Sequence, residues 1–394
     1  MMMDRGQFMR TLGLGAGWLA AGKAAATEVA APGAWAPVLN TASPLHSWAD
    51  VRAQYSISEE LVYLNCGGLG PSPRQVLDIQ NLTSRAFQHR VETGHYYFEE
   101  ARKIVAGFVK ADGEEICFTR NATEGNSIIA SGLALRADDE VIFETHAHPG
   151  GSLPWVNRAK QTGIKLQTFV PDAESAEGNL ARIVALITPR TRVIQVSHIT
   201  APTGLVMPVA AIAALARERG IWFHIDGAQS LGMVPVDLTG IGCDSYAASG
   251  HKWLGAPRET GILFVRRDRI EQIAPMAVGA YSSGDFDFQG QLTYAQGVRR
   301  HEYGTRDAAS VVALAEAARF QLALGRKRIA ARGAELATRL VQGLTSLPRV
   351  SMLTPAAAPL RAAMVTFAVE GMKAAPLFGH LLEQHRLRCR PVTE

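Results

Sequence analysis

The chain has 394 residues, 47% of them apolar and 19% charged, so it can bury a core large enough for two ordinary domains. Its net charge of +4 comes from basic residues scattered singly, without the stripe and interleaved aromatics of a nucleic-acid surface, so small molecules are the expected partners. The four cysteines, Cys66, Cys117, Cys243 and Cys389, form no CxxC pair or metal-ligand spacing and have apolar neighbours, which predicts small buried side chains and no disulfide.

In chain order, DRGQFMR, TLGLGAGWLAAG and KAAATEVAA give a charged start, an apolar middle and a small-residue end. That is an export-signal layout, assigned to residues 1–26. It is similar to a twin-arginine signal: Arg5, Phe8, Met9 and Arg10 fit, and Gly6 stands where the second arginine belongs. The expectation is a periplasmic or exported protein, with the cytoplasm as the alternative. The apolar run is too short and glycine-rich for a transmembrane helix, so no stable membrane insertion is expected. Gly13, Gly15 and Gly17 superficially suggest a dinucleotide loop, but no strand precedes them.

Residues 27–60 are expected to join a smaller domain, 61–300 to form the large domain, and 301–394 to form the small carboxyl-terminal domain. EICFT, EVIFE, IKLQTFV, RVIQVS and IWFHID read as buried parallel strands, and the segments 123–135, 152–162, 178–187 and 208–220 repeat apolar residues at helical spacing. This alternation predicts an α/β fold with a mostly parallel sheet flanked by helices. Ala-rich stretches at 311–324 and 356–363 suggest helices and connections of a second layer. In open sheets of this kind, ligands sit beyond the carboxyl ends of the strands, so the polar residues there are the ones to inspect.

After EICFT comes RNATEG, where a helix begins near Thr123. Unpaired N–H groups and the Thr123 hydroxyl could cradle a phosphate; an ordinary N-cap is the alternative. IWFHID ends in Asp226, with Gln229 three residues on. A buried carboxylate there needs a cationic or hydrogen-bonding partner, and a protonated pyridine nitrogen would serve. Lys252, in SGHKWLG, follows the strand-like run DSYAAS, so it can reach the same crevice from the adjacent strand. Only 8 of the 40 basic residues are lysines, so background usage does not explain it, although a single lysine could also snorkel to solvent. Together the anion cradle, the acid and the amine are what pyridoxal phosphate demands.

HIDGAQSLG, SGHKWLGAP, TRNATEG and the region from FDFQ to EYGTRD resemble the class V aminotransferase family, in its isopenicillin N epimerase-like and cysteine desulfurase-like branch, over residues 50–394. The resemblance implies a pyridoxal-phosphate-dependent transferase fold of type I, a homodimer, and an amino-acid or amino-acid-derived substrate. It further implies that Lys252 forms the internal Schiff base and then takes the α-proton, that Asp226 pairs with the pyridinium nitrogen, and that Gln229 bonds the ring hydroxyl. Ala122 and Thr123 would bind phosphate, Ser249 and His251 would add donors, and Thr305 would reach the phosphate across a dimer interface. His146 is the expected ring-stacking residue, with His148 on the surface or the pocket wall; no third ligand completes their H-x-H spacing as a metal site. Asn65, in YLNCGGLGP, falls in a loop at the mouth of the substrate site, where a simple turn is the alternative, and Arg390 is a substitute for the family's carboxylate-gripping arginine. The family continues past its HRLRCRPV-like strand, so the small domain is expected to be incomplete at Glu394.

Ala201 occupies a position where desulfurases carry asparagine, which favours the epimerase-like branch. Desulfuration, C–S lysis and transamination stay open as outcomes, as does a non-catalytic relative. A further alternative is an α/β-hydrolase with Ser230 in AQSLG as nucleophile and His251 as base.

Overall fold

The computed structural model describes residues 47–392. The export signal expected over 1–26, and the part of the 27–60 segment before Ser47, lie outside the described residues. The strands are β1 (Val62–Tyr63), β2 (Ile116–Thr119), β3 (Glu140–Glu144), β4 (Lys165–Phe169), β5 (Thr191–Ser197), β6 (Trp222–Asp226), β7 (Ser245–Ser249), β8 (Gly261–Val265), β9 (Ser283–Phe286), β10 (Leu292–Tyr294), β11 (Val350–Met352), β12 (Phe367–Val369) and β13 (Leu387–Arg388).

The central sheet has seven strands in the order β2-β8-β7-β6-β5-β3-β4. From β7 to β4 all neighbours pair in parallel, joined through the helices Pro149–Thr162, Ala176–Leu186, Val209–Glu218 and the short Leu238–Ile241. Parallel strands need such crossovers, which is why strand and helix patterns alternate in the sequence. β8 runs antiparallel between β7 and β2. EICFT is therefore not paired in parallel as expected, because GILFV, not anticipated as a strand, inserts beside it. β4 is half exposed, as befits its edge position, and is not a buried strand.

Residues alternate between two cores, one on each face of the sheet. Phe118, Ile142, Ile194, Phe223, Ile225, Tyr246 and Phe264 enter the larger core, while Cys117, Val141, Val193, Trp222, Ala247 and Leu263 enter the other with Trp155 and Ile128. Each Val, Ile, Leu or Phe among them contributes about 1.5–3 kcal/mol when fully buried. The Ala-rich stretch at 311–324 belongs to the helix Ala308–Leu324. It is apolar on nearly all sides and lies in the larger core against the helices Arg74–Arg90 and Phe98–Val109. The stretch at 356–363 contains only the short 3₁₀ turn Ala358–Leu360, since Pro355 and Pro359 interrupt helix formation.

All four cysteines are free; Cys117 and Cys243 are buried, whereas Cys66 and Cys389 are half-buried. No single helix among the described residues is long and apolar enough to cross a membrane. Farther along, β11 and β12 form a small antiparallel sheet, and β1 pairs in parallel with β13. Leu64 N–H donates to the Arg388 carbonyl at 2.8 Å, so the chain just before the glycine loop 67–70 is tied to the segment that carries Arg390.

Candidate active site

A cavity of about 250 Å³ opens at the carboxyl ends of β6 and β7 and the start of the helix Ala122–Gly132. Ala122, Thr123, Asp226, Ser249, His251, Lys252 and Arg390 line it, so seven residues singled out in the sequence meet in one place. β6 and β7 are neighbours, with Asp226 paired to Ala247, and Lys252 comes from the connection that follows β7.

At the helix start two N–H groups are already paired, and hydroxyls are left facing the cavity. Asn121 Oδ1 accepts from Glu124 N–H at 2.9 Å, and Ser249 Oγ accepts from Ala122 N–H at 3.0 Å while keeping its own proton to donate. Thr123 lies at the mouth, and a Cβ at Gly150 would stand 2.4 Å from its hydroxyl, so that glycine keeps the cradle open. Asp226 is buried; its Oδ1 accepts from Ala228 N–H at 2.9 Å and its Oδ2 from Asn126 Nδ2 at 3.0 Å. Burial pushes the Lys252 amine below the ordinary lysine range and the Arg390 charge lowers it further, while Asp226 opposes both. Burial and the Lys252 charge likewise lower His251.

Four expected residues lie elsewhere. His146 does not line the cavity; His148 does. The turn closed by Ala147 N–H on the Glu144 carbonyl uses up residues 145–147 and delivers His148 as N-cap of the helix Pro149–Thr162, its Nδ1 accepting from Gly150 N–H at 3.0 Å. His146 is half-buried, and burial lowers its pKa. Gln229 is committed to the 67–68 loop and its neighbour: its amide donates to the Gly67 carbonyl at 3.1 Å and accepts from Trp253 Nε1 at 2.7 Å. It thus holds one wall of the cavity, since Gly67 and Gly68 line it. Asn65 forms the turn weighed as its alternative, its carbonyl accepting from Gly68 and Leu69 N–H at 3.0 and 3.1 Å. Thr305 lies in a second cavity of about 910 Å³ with Arg120, Arg258 and Arg306. Ser230 is fully buried, its hydroxyl shared with the Gly227 carbonyl at 3.1 Å and the Tyr246 hydroxyl at 2.6 Å, which removes the hydrolase alternative.

Sequence reasoning missed Asn126, while it allowed His148 a place on the pocket wall and expected the glycines of YLNCGGLGP near the ligand. The available signal for Asn126 was its place three residues after Thr123, one helical turn deeper on the same face.

The family model described as aminotransferase class V matches residues 74–390. The chain belongs to the class V aminotransferase family. As a class V aminotransferase it is a pyridoxal-phosphate enzyme with the type I fold. It is 32% identical to isopenicillin N epimerase of Streptomyces clavuligerus over 87% of this chain and 89% of that one. It is 30% identical to probable cysteine desulfurase 2 of Mycobacterium leprae over 86% and 85% of the two chains. Among solved structures, the apo cysteine desulfurase of Thermococcus onnurineus superposes with a TM-score of 0.78 at 26% identity, covering 87% of each chain. The cystine C–S lyase C-DES, in complex with its product cysteine persulfide, superposes with a TM-score of 0.76 at 28% identity, covering 84% of this chain and 90% of that one.

The residues of this class V aminotransferase fit the cofactor. One cavity presents an amine, a carboxylate held only by donors, and a hydroxyl-bearing helix start that glycine keeps clear. A neighbouring glycine supplies a test of the site wall. A Cβ at Gly70 would lie 1.7 Å from the Lys252 carbonyl oxygen, and Gly70 N–H bonds the His251 carbonyl at 2.8 Å. Gly70→Ala is therefore expected to push the 67–70 loop off the lysine segment at about 1–3 kcal/mol. Thermal unfolding reads the loss of stability, and a cofactor titration reads the opened wall.

Proposed function

We propose that this enzyme removes the α-proton of an amino-acid substrate and returns it in an isopenicillin N epimerase-like reaction. The observation that carries this reading is the convergence of Lys252 and Asp226 on one cavity beside the helix that begins at Ala122. Bound there, pyridoxal phosphate supplies the electron sink that makes the α-hydrogen acidic. Lys252 would be the amine that engages the cofactor's aldehyde carbon and, once released, would move the proton; its lowered pKa favours the neutral, basic form. Asp226 would accept from the ring nitrogen, the Thr123 and Ser249 hydroxyls would hold the phosphate, and His148 would cover the ring from the start of its helix. Arg390 on the cavity wall takes the substrate carboxylate, as a fork of donors matched to it. The active form is a homodimer in which Thr305 serves the other chain's phosphate; light scattering of the purified enzyme is expected to give twice the chain mass.

C–S cleavage is the second reading, favoured by the likeness to the C–S lyase. Against a thiolate-dependent desulfurase, burial raises Cys66 and Cys389, which flank the cavity residues Gly67 and Arg390, above the ordinary thiol range. Borohydride reduction of the holoenzyme followed by peptide mapping is expected to place the cofactor on Lys252, and a label on another lysine would end this assignment. Incubation with amino acids in D₂O then separates the outcomes: α-deuteration with loss of chirality supports epimerisation, keto-acid and sulfide release supports C–S cleavage, and no exchange with any amino acid indicates a relative without catalysis.

A further inference from the structure

We infer that Asn126 and His224 are positioning residues that aim the Asp226 carboxylate at the pyridine nitrogen, an assignment that rests on the role given to Asp226 above. Trp222, His224 and Asp226 occupy alternate positions of β6 and so share one face of the sheet. Ser245 of β7 sits directly opposite His224, and Asn126 of the covering helix bridges His224 and Asp226.

The direction of every hydrogen bond in this row is determined. Trp222 Nε1 can only donate, and it does so to Ser245 Oγ at 2.9 Å. At the other end, Asn126 Nδ2 donates to two groups that accept, the Gly150 carbonyl and Asp226 Oδ2, each at 3.0 Å. Its Oδ1 therefore faces His224 Nε2 at 2.9 Å, and that nitrogen carries the proton. His224 Nδ1 is left to accept from the Ser245 hydroxyl at 2.8 Å. The arrangement requires a neutral imidazole, and burial supplies one by pushing His224 down to about 3.

Asn126, His224 and Ser245 have no solvent exposure, so water cannot replace a lost partner. Donors on both oxygens fix the plane of the Asp226 carboxylate. A Cβ at Gly151 would lie 2.8 Å from Oδ2, so backbone closes in on the carboxylate there. Removing Asn126 leaves the carboxylate free to rotate and His224 without its acceptor. The consequence reaches the cofactor even though neither residue lines the cavity.

The test titrates pyridoxal phosphate into cofactor-stripped protein and follows absorbance against pH, alongside melting temperature. Asn126→Ala and His224→Phe are expected to weaken cofactor binding about tenfold and to shift the pH at which the absorption band changes. His224→Gln, which keeps a donor for Asn126, is expected to stay within about threefold of the parent. Lower melting temperature with unchanged affinity and absorption would make the row merely structural and overturn the inference. If Asn126→Ala does not fold, equal losses in His224→Gln and His224→Phe overturn it, whereas rescue by Gln supports it. Asp226→Asn serves as the reference: if it leaves affinity and absorption unchanged, the reading of Asp226 itself falls; if it alters them while the Asn126 and His224 variants do not, only the positioning role falls.

Discussion

Lys252→Ala is expected to lower α-proton exchange by about 10⁴-fold or more, because in the proposed reaction one side chain supplies both the attachment amine and the base. Lys252→Arg is expected to fail equally. A guanidinium keeps the charge but stays protonated, so it can neither attack a carbonyl nor take a proton. The pair separates a chemical role from an electrostatic one: recovery of more than a small fraction of the rate in Lys252→Arg would show that the cation suffices. Deuterium incorporation measured by NMR reads this directly. Cofactor binding to both variants should persist through the phosphate contacts, since Thr123 and Ser249 are untouched.

Acid is expected to unfold the protein well before its carboxylates explain it. Burial depresses His198 and His301 to about 4 and His224 to about 3. Each stays neutral in the folded chain while the unfolded chain takes up a proton from pH 6.5 downward. Their contribution is thus complete above the unfolded value and is lost as the pH falls through the folded one. At pH 4 each removes about 3 kcal/mol. Glu144 works in the opposite sense. It is fully buried and raised to about 7, so its contribution grows as the pH falls from 7 to 4.5, by about 3 kcal/mol. The net loss between pH 7 and 4 is on the order of 6 kcal/mol, comparable to the whole stability of many proteins. Urea unfolding across that range measures it, and a flat profile would contradict the buried neutral histidines. Glu144→Gln should make the decline steeper.

Much of this was legible in the sequence, for identifiable reasons. Strands buried on both faces are nearly continuous apolar runs, so β3, β5 and β6 stand out, and residues that end or follow such strands, Asp226 and Lys252 among them, meet in one cavity. β8 was missed because GILFV follows β7 through a connection, with no helix between to mark a new unit. The choice between His146 and His148 depends on how many residues one turn consumes, which periodicity does not encode. Gln229 was misplaced for a related reason. Spacing locates its backbone, but Trp253 and Gly67, both distant in the chain, decide where the amide goes.

The pairing of β1 with β13 has a consequence during synthesis. Gly67 and Gly68 leave the ribosome early and Arg390 late, yet all three face the same cavity. A nascent polypeptide can assemble the seven-stranded sheet and settle Asp226 and Lys252 while this flank still gapes. Tight retention of the vitamin-derived ligand is then deferred until β13 has emerged, and a ribosome stalled short of β13 should display a folded core with a leaky pocket.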